Sequence, residues 1–260
     1  MFMKIAVLIK QVPDSWAEKS LTSDTFLLDR DSSDKVLNDL DEYAIEQALA
    51  WQENDGAELV AICMGPESAA DAIRRALSMG VDSGIHINDE ALKGSDAIAT
   101  SRVLAAAIVR GGFDLVISGV ESTDARMGVV PAMLSELLEW PQLTFANRVA
   151  INGSNIEIDR VTENGISTLT ATLPAIVSVV EKINEPRYPN FKGIMAAKKK
   201  TVEMLTCADL GISDVGLASA WSVVSAAKTL PPRAAGIKVV DESGSSVAAL
   251  VDFLAERKVI

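Results

Sequence analysis

What most constrains this chain is a grammar repeated through its first half: a short, almost continuously apolar stretch, a turn, then a segment of helical period. The stretch IAVLI (5–9) is followed, after a long loop, by DEYAIEQALAWQEN, in which Tyr43, Ala44, Gln47, Ala48 and Trp51 recur at helical spacing until Gly56 ends the run. ELVAIC (58–63) leads to a helix expected over 67–79, with Gly80 in the position that closes it. A short third strand (84–88) precedes a helix that Ser95 is expected to cap and that runs to Gly111 and Gly112; a fourth strand follows at 113–118. Strands that are apolar throughout are buried on both faces, so this half reads as an α/β fold, doubly wound about a mainly parallel sheet.

The second half changes style. After a helix expected over 129–139 and the break at Trp140 and Pro141, strands are expected at 144–151, 156–162, 167–173 and 175–180. Asn152-Gly153 and Asn164-Gly165 stand between the first three, and Asn-Gly tolerates the positive φ that tight hairpin turns require. The reading is an antiparallel hairpin meander added to the parallel sheet or laid across its edge. From Asn184 onward the chain reads as polar and irregular, through Pro186, Pro189 and the solvated run Lys198, Lys199, Lys200. After Pro231 and Pro232 one helix is expected, over 245–257.

With 24 Lys and Arg against 36 Asp and Glu, the net charge of −12 repels phosphate backbones and anionic lipid, so nucleic-acid and membrane-surface binding are disfavoured. The uncharged stretch 164–180 is interrupted by Gly165 and Pro174 and rich in Ser and Thr, unlike a membrane-inserted helix. The N-terminal apolar run meets Lys10 and Pro13 too early for a signal peptide. Cys63 and Cys207 form no CxxC, which removes zinc knuckles and dithiol redox motifs; Cys63 reads as a small buried hydrophobe, and a reducing, cytoplasmic setting is expected.

Catalytic and metal-ligating constellations are expected to be absent. The one histidine, His86, alternates with Ile85 and Ile87 in a strand and has no partner ligand near it; no GxSxG, HExxH, P-loop or GxGxxG is present. What the chain does have is polar text at the carboxyl ends of its parallel strands, where open α/β sheets bind ligands. Lys10 to Pro13 follow the first strand, Asn38, Asp39, Leu40 and Asp41 open a helix, and Met64, Gly65 and Pro66 follow the second strand. A long loop from Gly119 to Pro131 enters another helix. Backbone N–H groups at that helix start suit a phosphate, with Arg126 or Ser122 as further donors.

These segments resemble the β-subunit family of electron transfer flavoproteins. The resemblance runs from Lys4 to the C-terminus through KIAVLIKQVPD, NDLDEYAIEQAL, GPESAADAIRRALSMGVDSGIHI, FDLVISGVESTDARMG, EWPQLTFA and, above all, NEPRYPNFKGIMAAKKK. It implies a fold of the adenine-nucleotide α-hydrolase kind and an electron carrier rather than an enzyme. The chain would pair obligately with an α subunit that holds most of the FAD, and would itself bind a structural AMP. Electrons would pass from flavin dehydrogenases, such as acyl-CoA dehydrogenases, to a membrane quinone oxidoreductase. Residues 1–205 would form the AMP-binding α/β domain with its meander, and 206–260 an arm and helix that pack on the partner.

Carried over by position, the AMP site comprises Leu8, Asn38, Asp39, Leu40, Asp41, Met64, Val120, Glu121, Ser122, Thr123, Asp124, Ala125, Arg126, Met127, Gly128, Val129, Val130 and Pro131. Backbone groups of Leu8 and Met64 would read adenine, Asp41 or Asp124 would take ribose or loop hydrogen bonds, and amides near 128–131 would hold the phosphate. Many members carry Thr and Gln in this loop where this chain has Met127 and Val129. That removes hydrogen bonds a diphosphate would want, and it favours AMP over a second FAD. Ser15 and Leu40 stand at flavin-proximal positions that are aromatic in some members. Pro186, Arg187, Tyr188, Pro189, Asn190, Phe191 and Lys192 match the loop that docks dehydrogenases, with Phe191 as the inserting residue. The arm over 206–233, with Trp221, Val223 and Val224, would reach around the α subunit. The rival reading is a stand-alone adenine-nucleotide module of the universal-stress-protein kind, which shares the sheet and rim but needs neither meander nor arm.

Overall fold

A computed structural model describes residues 3–228, 230–231, 235–236, 238, 240 and 244–260. In chain order the elements are β1 (Lys4–Leu8), β2 (Gln11–Pro13), β3 (Lys35–Leu37), α1 (Asp39–Asp55), β4 (Glu58–Met64), α2 (Ala70–Met79), β5 (Ser83–Ile87) and α3 (Ala97–Gly111). Then follow β6 (Leu115–Gly119), α4 (Val130–Leu138), β7 (Gln142–Asn152), β8 (Asn155–Thr162), β9 (Gly165–Thr172), β10 (Ala175–Val179), α5 (Phe191–Ala197), β11 (Val202–Leu205) and α6 (Ser245–Glu256). The chain forms two compact units, Met1–Ser225 and Ala226–Ile260. The first holds every strand and α1 to α5; the second holds α6. Among the described residues no helix is long and apolar enough to cross a membrane.

The nine-stranded sheet runs β11-β5-β4-β1-β6-β10-β7-β8-β9, parallel from β11 through β7 and antiparallel over β7-β8-β9; β2 and β3 form a separate antiparallel pair. Alternation along β1 shows how the apolar strands build two layers. Ile5 and Val7 face a cluster with Ile45 and Leu49 of α1 and Ile73 and Leu77 of α2. Ala6 and Leu8 face Val103 and Ile108 of α3 and Leu134 of α4. A period of two in a sheet covered on both sides makes every residue of such a strand apolar.

Several expectations need correcting. The last strand of the expected meander, β10, is not antiparallel to β9: it enters the sheet between β6 and β7 and is parallel to both. All five of its residues are buried, whereas β9 is mostly exposed, so burial decided the placement. The hairpin turns are centred on Gly153-Ser154 and Glu163-Asn164, one residue from the first Asn-Gly pair and one before the second. Asp96, not Ser95, caps α3, its carboxylate accepting from Ala99 N at 2.9 Å; Ser95 Oγ accepts from Gly216 N instead. The helix expected over 67–79 opens with a 3₁₀ turn at Glu67–Ala69.

The region after Asn184 is also more ordered than its composition suggests: α5 packs on α2, and β11 adds a parallel edge strand to β5. Of the lysine run, Lys198 and Lys199 are exposed, but Lys200 turns inward. Its Nζ donates to the carbonyls of Leu77, Gly80 and Val81 at 3.1, 2.9 and 2.6 Å. These carbonyls lie at the C-terminal end of α2, where a cation complements the helix dipole and takes up acceptors the helix leaves unused. Partial burial lowers the pKa of this amine.

Candidate functional site

The polar rim forms because three chain segments are cross-tied at the carboxyl end of the sheet. Asn38 is the residue before α1, yet its side chain makes no capping bond to the helix. Its Nδ2 donates to Asp41 Oδ1 at 2.9 Å and to the Glu121 carbonyl at 3.0 Å, while its Oδ1 accepts from Thr123 N at 3.0 Å. A capping residue that forgoes its cap gives up about 1 kcal/mol of local helix stability. Here the side chain instead fixes a loop more than eighty residues away in sequence.

Asp41 is buried and accepts from Lys10 N at 2.8 Å and from the backbone of Gly119. Burial pushes its carboxyl up to about 7, against the opposing hydrogen bonds from Asn38 and Lys10. Asp124 has the opposite environment. Burial works to raise its pKa, but Lys10 and Arg30 prevail and hold it below the usual carboxylate range. Lys10 Nζ reaches Asp124 Oδ1 at 2.8 Å and Ser122 Oγ at 3.2 Å; Arg30 reaches Asp124 Oδ2 at 2.5 Å. Both Asp124 oxygens are therefore engaged by cations.

The remaining site positions surround this network. Leu8 is buried, and Met64 and Val130 pack against the same apolar cluster. Val120 N donates to Val179 O, extending the β6–β10 pairing. Asp39 is exposed, and Leu40 is half-buried. Ala125, Arg126 and Met127 stand out on the loop, where Arg126 has a positive φ of 50° and pairs with Glu121 at 3.7 Å. Gly128, at φ 62°, makes the turn into α4, which starts at Val130 after an N-cap, Val129, with no side-chain capping bond. Thr123 Oγ1 is buried without a partner.

The structure thus joins Asn38, Asp41, Glu121, Ser122, Thr123 and Asp124 into one network, with Leu8, Met64 and Val130 packed in one apolar cluster. Ser15 lies exposed on the 14–34 excursion and shares no hydrogen bond with Leu40. Sequence reasoning missed Arg30, which sits in a charged loop with no local pattern to single it out. His86 is buried, with Nε2 3.1 Å from the carbonyls of both Gly65 and Pro66, the turn that follows β4. Two carbonyl partners make Nε2 the protonated nitrogen of a structural imidazole. The Cys63 thiol is pushed up to about 12 by burial and is no nucleophile.

A second surface carries exposed aromatics. Arg187 donates through N and Nε to Glu46 Oε2 and through Nη2 to Glu46 Oε1, while Nη1 reaches Glu53; both glutamates are on α1. Asn190 Oδ1 accepts from Gly193 N and caps α5. A Cβ on Gly193 would lie 2.4 Å from the Ser78 carbonyl oxygen, so only glycine lets α5 seat on α2. Between these fixed points Tyr188 and Phe191 are 87% and 79% exposed, with Ile194 and Met195 continuing the apolar row. Neither aromatic covers a core edge of this chain. Further on, Asp96 Oδ2 accepts from Trp221 N and Ser222 N, and Arg102 lies 5.2 Å from the centre of the Trp221 ring; that ring, Val223 and Val224 are exposed. Of the expected arm, residues 229, 232 and 233 lie outside the described residues.

The chain thus combines a mainly parallel α/β sheet, a polar rim cross-tied at the carboxyl ends of its strands, and a loop tied down by Arg187 and Asn190 that exposes Tyr188 and Phe191. Comparison with known proteins narrows the class. A family model described as the electron transfer flavoprotein domain matches residues 25–210. The chain is 48% identical over 264 residues to the electron transfer flavoprotein subunit beta of Mycobacterium tuberculosis, covering 98% of this chain and 99% of that one. It is 34% identical to the protein of the same name from Bacillus subtilis over 261 residues (99% and 100% covered) and to that from Bos taurus over 240 residues (91% and 92%). The chain belongs to the electron transfer flavoprotein family.

Proposed function

We propose that this chain is the β subunit of a heterodimeric electron transfer flavoprotein that binds AMP structurally and closes over part of an FAD held mainly by its α subunit. The observation that carries the nucleotide reading is the rim itself. It has donors without internal partners where an anion would sit: the uncapped first turn of α4 and the Thr123 hydroxyl. The amides of Gly128, Val129 and Val130 would hold the phosphate, the apolar patch of Leu8 and Met64 would face the adenine, and Asn38 and Asp41 would keep the loop in register. Isoalloxazine, when bound, supplies the one-electron chemistry; this chain supplies position, with Ser15 and Leu40 on its flavin-proximal side. Cys63 and Cys207, both free and buried, suit a reducing cytoplasm.

The test is to co-express the chain with its α subunit, purify the pair, record the flavin absorbance and identify the nucleotide released on denaturation. A yellow pair carrying stoichiometric AMP is expected. A colourless, nucleotide-free pair overturns the reading.

Electrons would arrive from flavin dehydrogenases of the acyl-CoA type and leave to a membrane quinone oxidoreductase, with 186–192 as the docking loop. Its ends are held by Arg187 and Asn190, so little further ordering is needed when Phe191 enters a partner's pocket. Phe191→Ala is expected to lower kcat/KM for a dehydrogenase donor by ~30-fold, the size of an aromatic hot spot, and to leave FAD content unchanged. Equal loss of flavin and transfer would show instead that Phe191 supports the fold.

A further inference from the structure

Residues 14–34 leave the rim between β2 and β3 as a strap bonded almost wholly to itself. Asp14 N donates to Asp34 O at its base, Thr22 N to Leu27 O, Phe26 N to Thr22 O and Asp29 N to Ser20 O, and Leu21 bridges to Leu28. The side-chain bonds Ser20–Ser32, Thr22–Thr25 and Trp16 N to Asp14 also close within it, and Asp31 pairs with Lys35 at its root. Among the described residues one hydrogen bond carries the strap across to another part of the fold: Arg30 on Asp124, spanning 94 residues of sequence.

The receiving carboxylate is well placed for this. The Asp124 side chain is 1% exposed, whereas those of Arg30 and Lys10 are more than a third exposed, so two cations close over an acid seated in the loop between β6 and α4. Lys10 and Ser122 hold Asp124 without Arg30. Losing Arg30 therefore leaves no buried charge unpaired; what it removes is the one hydrogen bond that ties the strap to the 120–131 loop, leaving the β2–β3 root and the attraction of Lys93 for Asp31 in place.

We propose that Arg30 is a positioning residue for the nucleotide loop: acting through Asp124, it clasps the 14–34 strap to residues 120–131 and sets how fast the bound nucleotide leaves. The inference rests on the nucleotide reading above. A partly exposed, charge-assisted bond is worth about tenfold in a rate constant, and because both cations are partly exposed, salt weakens it.

The test uses the purified heterodimer loaded with radiolabelled AMP and chased with excess unlabelled AMP, at low and high salt. Arg30→Gln is expected to release label ~10-fold faster than the unaltered protein, with an unchanged thermal midpoint, and Arg30→Lys to restore part of the slow rate. Release from the unaltered protein is expected to quicken with salt toward the Arg30→Gln rate, while the variant responds little. A merely structural arginine would shift the midpoint and leave this salt response absent. Equal rates in Arg30→Gln and the unaltered protein, or a salt-independent rate in the latter, overturn the clasp and leave the nucleotide reading intact. A pair that neither carries nor takes up AMP overturns the nucleotide reading, and the clasp with it.

Discussion

Gly119→Ala is expected to strip the purified pair of most of the AMP that we propose for the rim and to lower its stability by about 1–3 kcal/mol, the usual cost of forcing an extra methyl into a filled site. Gly119 is the last residue of β6 and leads into the 120–131 loop. A Cβ there would lie 2.7 Å from Asp41 Oδ1 and 2.7 Å from the carbonyl carbon and oxygen of Leu40. Two of those three atoms are backbone in the first turn of α1, so no side chain can swing aside to make room. The strand end would have to withdraw from α1, breaking the contact between the Gly119 backbone and Asp41 and carrying Glu121 and Thr123 away from Asn38. Gly128→Ala is the instructive contrast. Its Cβ would meet nothing closer than Val120 O at 3.5 Å, so its cost is confined to a φ of 62°, about 1 kcal/mol. Nucleotide content and thermal midpoint of the two variants check this. A Gly119→Ala pair as loaded and as stable as the unaltered protein would mean that the strand end and α1 do not need their close approach.

The close approach of Gly119 to α1 also shows where the sequence was legible. Apolar strands alternating with helical periods gave the parallel sheet, because covering both faces of a sheet writes itself into every residue of a strand. The position of β10 was harder to read. After two hairpins, a two-residue break at Leu173-Pro174 looks like a third, and the cue that distinguishes it is compositional: AIVSV is apolar as an interior strand is, GISTLTAT is not. The edge strand β11 was missed because VEML is short and carries Glu203, and edge strands are kept short and charged to discourage pairing with other chains. Within the site, 38–41 and 120–131 announce themselves by their place between strand and helix. Nothing local marks Arg30, whose partner is brought to it only by closure of the whole sheet, or the inward turn of Lys200 within a run of three lysines. Asn38 reads as an ordinary helix cap, and only the structure shows that its side chain is used across the rim.

The second large effect is a pH dependence that resides in Asp41. Its carboxyl is pushed up to about 7 from an ordinary 3.8, burial outweighing the bonds from Asn38, Lys10 and Gly119. A raised pKa means that the folded chain binds this proton more tightly than the unfolded chain does. Its contribution to stability is therefore complete below about pH 4 and drains away as the pH rises through about 7, at about 1.4 kcal/mol per pH unit within that window. Asp124 acts in the other direction: with its folded pKa held down, its contribution is present above the ordinary carboxylate range and is lost only in stronger acid. The two contributions are both fully present only near the ordinary carboxylate value of 3.8, so their sum peaks at about pH 4 and falls from there toward neutrality. Asp41→Asn removes the titration, and urea midpoints of the heterodimer measured from pH 4 to 8 are expected to lose their downward slope between about 4 and 7. The variant is also expected to be less stable at every pH. Both Asp41 oxygens accept hydrogen bonds, so an amide must set its NH₂ against either Asn38 Nδ2 or Lys10 N, and turning Asn38 around would break its bonds to Glu121 and Thr123. If Asp41→Asn keeps the same slope as the unaltered pair, the proton lost over that range belongs to another group, and Asp41 is ionised in its buried position, held there by its three donors.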